Sequence, residues 1–161
     1  MNIYNEYSLP ESDNIERLLP AKMTRLAHLL YTYAPQDGVL NLPISGLSII
    51  RYSGTDMDCP KTFYLPSLSI VAQGARSITI GHEIYQLDKS QMIMNPITLP
   101  IFLQTMKTTK SEPLLIIRLD LNPERIAEIV QKIYPHGLPQ MKPCHAGYVM
   151  NADIRIYESK P

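Results

Sequence analysis

Proline placement constrains this chain more than any other feature. Fourteen of its 161 residues are proline, and between residues 43 and 123 hardly any proline-free stretch is apolar at helical period. Proline lacks the amide N–H that a helix interior needs and clashes with the preceding turn, so the middle of the chain is expected to be β. Alternating strands are read at about 47–53, 68–73, 77–80, 83–87, 92–94, 101–106 and 114–121. The links between them are short, among them "QG", "GH", "DKSQ" and "NPITLP". Parallel strands would need long crossovers, so an antiparallel sandwich or barrel is expected.

The two ends read differently. "SDNIERLL" offers an N-cap ahead of Ile15, Leu18 and Leu19, and beyond Pro20 the residues Met23, Leu26, Ala27 and Leu30 fall at helical spacing, which predicts one or two amphipathic helices. Towards the other end, Asn122 is a good N-cap, Pro123 suits the first helical position and Glu124 complements the helix dipole. Ile126, Ile129, Val130 and Ile133 then form one apolar stripe, and "PHG" at 135–137 ends the helix. Such a stripe must be covered, either by the rest of the domain or by a second copy.

Several function classes are disfavoured by composition. Fifteen basic residues balance fifteen acidic ones, whereas a DNA-binding domain normally gathers an excess of Lys and Arg on one face. The opening "MNIYNEYSLPESDN" has no basic or apolar signal region, and runs such as "LLII" at 114–117 are too short to span a bilayer, so a cytoplasmic protein without membrane contact is expected. Cys59 and Cys144 are read as two reduced thiols.

The pair His82 and Glu83 in "ITIGHEIYQL" poses a choice between a site and a turn. Gly81 and His82 fit a two-residue type II′ hairpin, whose first central position needs the positive φ that glycine accepts. Neighbouring strand residues point to opposite faces, and His28, His136 and His145 lie on other elements. A metal centre needs about three converging ligands, so no metal and no cofactor are expected. Ser67, Ser69 and Ser77 lack a nucleophile-elbow context, and no phosphate-cradling glycine loop is present. Asp120 and Glu124 flank a helix start, where capping accounts for them. No catalytic residue is assigned.

Four segments in register carry a resemblance: "DGVLNLPISGLSIIRY", "LPSLSIVAQGARSITIGHEIYQLDKSQMIM", "LPIFLQTM" and "SEPLLIIRLDLNPERIAEIV". In order and spacing they resemble the N-terminal domain of AraC-type transcription regulators, over residues 26 to 131. The resemblance implies a mainly β fold with flanking helices: a cupin-like antiparallel β-barrel of jelly-roll type, with a helical N-terminus and a C-terminal helix. It further implies a regulatory domain that senses a small-molecule effector or mediates homodimerisation, and reaches DNA only through a helix-turn-helix domain beyond Pro161. The expected division is a helical segment over 1–34, the barrel over 35–121, a helix over 122–135 packed on the barrel or in a dimer interface, and a truncated linker over 136–161. The alternative reading is a stand-alone cupin-like sugar-binding protein or metal-dependent cupin enzyme.

If the strands close into a barrel, parity nominates polar groups for its pocket. Leu47, Ile49 and Arg51 share one face, as do Ser69, Val71 and Gln73, and as do Ile116, Arg118 and Asp120. Arg51, Gln73, Tyr85 and Arg118 are the expected ligand-binding residues, against the alternatives of surface arginines and core tyrosine rings. Ile126, Ile129, Val130 and Ile133 are the expected dimerisation residues.

Overall fold

A computed structural model of the chain describes residues 12–54, 58–106, 108–138 and 148–151. Helix α1 spans Ser12–Tyr33 and continues across Pro20, one helix where the sequence left one or two open. Its residues Met23, Ala27 and Leu30, with Ala34 just beyond, form the buried stripe that the spacing predicts.

Among the described residues ten strands follow in chain order: β1 (Gly38–Asn41), β2 (Leu47–Tyr52), β3 (Asp58–Tyr64), β4 (Ser67–Gln73), β5 (Ala75–Ile80), β6 (Glu83–Leu87), β7 (Gln91–Asn95), β8 (Leu99–Met106), β9 (Leu114–Asp120) and β10 (Tyr148–Asn151). Helix α2 (Pro123–Ile133) lies between β9 and β10. The strands form two sheets, β1-β2-β9-β4-β7-β10 and β3-β8-β5-β6. Every described pairing is antiparallel. This is the double-sheet, cupin-like arrangement that the sequence led us to expect.

Two apolar layers hold it together. Between the sheets, Ile50, Val71, Ile93, Leu114 and Ile116 of the larger meet Ile78, Ile80, Leu87, Ile101 and Leu103 of the smaller. On its other face the larger sheet carries Ile49, Ile70, Ala72, Met92 and Leu115, which pack under α1. Each fully buried side chain of this size contributes about 1.5–3 kcal/mol. The near-continuous apolar character of β2, β4 and β9 follows, since both of their faces are covered.

The "QG" link is where the chain leaves one sheet for the other. Gly74 has φ +82°, and a Cβ there would stand 3.0 Å from Leu114 Cα. Backbone conformation and close approach both require glycine.

Three strands escaped the sequence reading. β3 contains Pro60, which argues against a central strand, but β3 lies at a sheet edge and its register shifts between Cys59 and Thr62. β1 is a short edge strand whose residues are mostly exposed. β10 falls in the stretch expected to be a linker, yet Tyr148–Asn151 pairs with β7 and extends the larger sheet.

Helix α2 forms as expected. Asn122 Oδ1 accepts from Glu124 N at 2.9 Å and from Arg125 N at 3.2 Å. No residue of α2 is buried: Ile126, Ile129 and Ile133 are 39, 54 and 60% exposed. Among the described residues, none covers this stripe closely enough to bury it.

Candidate functional site

Strand register brings an unusual set of polar groups to the inner face of the larger sheet. Ser48 lies opposite Arg118 and Arg118 opposite Ser69, while Ser67 lies opposite both Asp120 and Asn95. Each keeps the parity of an interior neighbour two residues away: Ser48 that of Ile50, Ser69 of Val71, Asn95 of Ile93 and Arg118 of Ile116. Ser48, Ser67, Ser69 and Asn95 are 2, 1, 5 and 1% exposed. Among the described residues, the three hydroxyls and both polar atoms of the Asn95 amide have no hydrogen-bond partner. A buried polar group left without any partner, protein or water, costs about 1–3 kcal/mol, and five such atoms lie on three strands of the larger sheet, β2, β4 and β7.

The smaller sheet supplies the counterpart. Arg76 follows the parity of Ile78 and Ile80 into the interior and is 2% exposed. Its Nη1 donates to Tyr64 Oη at 3.2 Å, and its guanidinium carbon lies 6.0 Å from the centroid of the Tyr52 ring. Among the described residues, Nε and Nη2 have no hydrogen-bond partner. The same Tyr64 offers its ring to Arg118, whose guanidinium carbon is 5.6 Å from the centroid. Arg118 Nε in turn sits 3.1 Å from Asp120 Oδ1. One tyrosine therefore joins two arginines, of which one has a carboxylate and the other, among the described ion pairs, has none.

The four nominated ligand residues are not brought together. Arg118 faces the interior, and Tyr85 packs against the interior core with its hydroxyl donating to Glu83. Arg51 points the other way, towards α1, where its Nη1 donates to the Ala34 carbonyl at 2.7 Å. Its Nε lies 3.5 Å from Asp37 Oδ1, and its guanidinium covers the Tyr31 ring at 4.5 Å. These contacts tie the end of α1 to β2. Gln73 was paired with Val71 by parity, but a register shift between Val71 and Gln73 sets it opposite Leu115, on the α1 side. There its Nε2 donates to the Pro113 carbonyl at 2.9 Å.

Gln73 also lines an open cleft of about 320 Å³ with Thr24, His28, Tyr31, Lys89 and Ser111, apart from the interior groups. His82 is exposed in the β5–β6 turn, where Gly81 has φ +61° and His82 does not have positive φ, as a type II′ turn requires. Among the described residues no group of three or more His, Cys, Asp or Glu could hold a metal ion. Nor is any described helix long and apolar enough to cross a membrane.

Arg76 was absent from the sequence nominations, although the alternation of "ARSITI" aligns it with Ile78 and Ile80. Ser48 and Asn95 were legible by the same rule. What the sequence does not display is that, among the described residues, nothing pairs with the Ser48 hydroxyl, the Asn95 amide or Nε and Nη2 of Arg76.

Comparison with known proteins bears on the family. No curated protein sequence matches the chain. Among solved structures, an apo variant of ToxT from Vibrio cholerae aligns at 8% identity and a TM-score of 0.47, covering 70% of this chain and 44% of that one. Unsaturated fatty acid-bound wild-type ToxT aligns at 8% identity and a TM-score of 0.46, covering 73% and 45%. Salicylate 1,2-dioxygenase from Pseudoaminobacter salicylatoxidans aligns at 16% identity and a TM-score of 0.39, covering 81% of this chain and 35% of the enzyme. The chain thus spans less than half the length of the ToxT chains it matches. The family model of the AraC-type transcriptional regulator N-terminus matches residues 43–158, more than half of the sequence. By that match this chain, whose two-sheet core and interior polar groups lie within the matched region, belongs to the AraC-type transcriptional regulator N-terminus family.

Proposed function

We propose that this chain is the effector-sensing and self-associating part of a cytoplasmic AraC-type transcription regulator, without enzymatic turnover, that reaches DNA through a separate domain. One observation carries the sensing role: the unpartnered polar atoms of Ser48, Ser67, Ser69, Asn95 and Arg76 inside the barrel. A small molecule that satisfied them would stabilise the folded state to an extent set by its affinity and concentration. The balance of fifteen basic and fifteen acidic residues supports leaving DNA contact to another domain.

Self-association is assigned to α2. Ile126, Ile129, Val130 and Ile133 lie on one stripe, and none is buried. A stripe of this spacing is self-complementary across a two-fold axis, so a second copy is the natural cover.

Thermal unfolding in the presence of a metabolite panel tests sensing: the effector should raise Tm saturably, and a Tm that no compound moves would contradict it. Sedimentation tests the helix. Wild type should be dimeric and Ile129→Asp monomeric, whereas a monomeric wild type would refute the assignment to α2.

A further inference from the structure

Arg76 is the point at which the interior can be read more finely. Arginine keeps its charge in protein interiors, and a buried charge without a counter-ion costs more than one neutral hydrogen bond returns. The two nitrogens left unpartnered, Nε and Nη2, are not an arbitrary pair. They form one edge of the planar guanidinium, the edge whose two parallel N–H groups match both oxygens of a carboxylate. The other edge is already engaged through Nη1 and the Tyr64 hydroxyl.

Charge and surroundings narrow the ligand further. Among the described residues, two guanidiniums meet at Tyr64, the buried Arg76 and the partly exposed Arg118, and only Arg118 is paired with a carboxylate, that of Asp120. Glu83 is exposed at the hairpin end and takes the Tyr85 hydroxyl bond. Among the described residues Arg76 is thus one negative charge short, which a monoanion would supply. The side chains around this edge of the core, including Ile78, Leu87 and Leu103, are apolar, which suits an apolar body behind the charged head.

We propose, resting on the effector-sensing reading above, that the effector is a small organic monocarboxylate whose head is held bidentately by Nε and Nη2 of Arg76. The uncharged Ser48, Ser69 and Asn95 groups then serve polar substituents on its body. Without such a ligand Arg76 has no counter-ion among the described residues, and binding would supply one.

Calorimetric titration and thermal unfolding of the whole 161-residue chain test this with butyrate, octanoate and benzoate, each beside its primary amide, and with glucose and arabinose as neutral compounds. At least one acid should bind saturably and raise Tm, with its amide at least tenfold weaker. Arg76→Met should lose that binding at least tenfold, and Arg76→Lys, which keeps the charge but not the fork, should fall between. Circular dichroism establishes that each variant is folded; if Arg76→Met is not, Arg76→Lys carries the comparison. Amides or sugars binding as tightly as acids, or an Arg76 variant that binds acids like wild type, would overturn the carboxylate assignment and leave effector sensing standing. Binding of none of these compounds at millimolar concentration would count against both.

Discussion

On the α1 side of the larger sheet, Arg51 is held by the Ala34 carbonyl, by Asp37 and by the Tyr31 ring. Across the interior from that sheet's other face, Arg76 is at least as buried, 2% exposed against 7%, yet among the described residues it has no carboxylate and leaves both Nε and Nη2 without a hydrogen bond, where Arg51 leaves only Nε, which faces Asp37. The same residue type in the same fold is thus a structural tie in one place and an unmet demand in the other. What differs is whether the chain supplies partners. Where it does, the polar group stabilises the fold; where it does not, the group depends on a partner from outside the chain, a ligand or an ordered water.

The largest way to disturb this contrast is to remove the cover of the α1 side. Met23 is fully buried, and Met23→Ala should cost about 2–5 kcal/mol in denaturant unfolding, with α1 loosened from the sheet. A loss well under that range would mean that α1 is a marginal cover and that the two faces are less distinct than described. Next, Arg51→Met keeps the packing volume but removes the bond to Ala34, and should lower stability by about 1.5–3 kcal/mol. Smallest, and of opposite sign, Ser69→Ala deletes an unpartnered interior hydroxyl and should raise the unliganded stability by about 1 kcal/mol. A drop instead would show that the hydroxyl is satisfied, and would weaken the case for the interior as a site.

Much of the architecture was legible because its causes are local. The cap at Asn122, the proline at the first position of α2 and the stop at "PHG" predicted a helix that runs Pro123–Ile133, and alternation placed β2, β4, β5, β6, β7, β8 and β9 to within a few residues. The errors have physical causes too. Pro60 concealed β3, since an edge strand tolerates a residue that a central strand would reject. A register shift beside Gly74 moved Gln73 to the opposite face from the one parity gave it. The candidate site was the least legible part. Its meaning lies in what meets what across the interior, and Tyr64 of β3 reaches both Arg76 of β5 and Arg118 of β9, a convergence that strand patterns do not encode.

The central claim, that one arginine is paid for by its surroundings and the other awaits a ligand, is tested most directly by unfolding Arg51→Met and Arg76→Met side by side without ligand. Replacing an uncompensated buried charge with an apolar group of similar volume is neutral or stabilising, whereas breaking a satisfied one is costly. Arg51→Met should therefore fall below wild type, and Arg76→Met should match it or rise by about 1 kcal/mol. If both variants lose stability to the same degree, Arg76 is a structural tie like Arg51 and the interior is complete without a ligand.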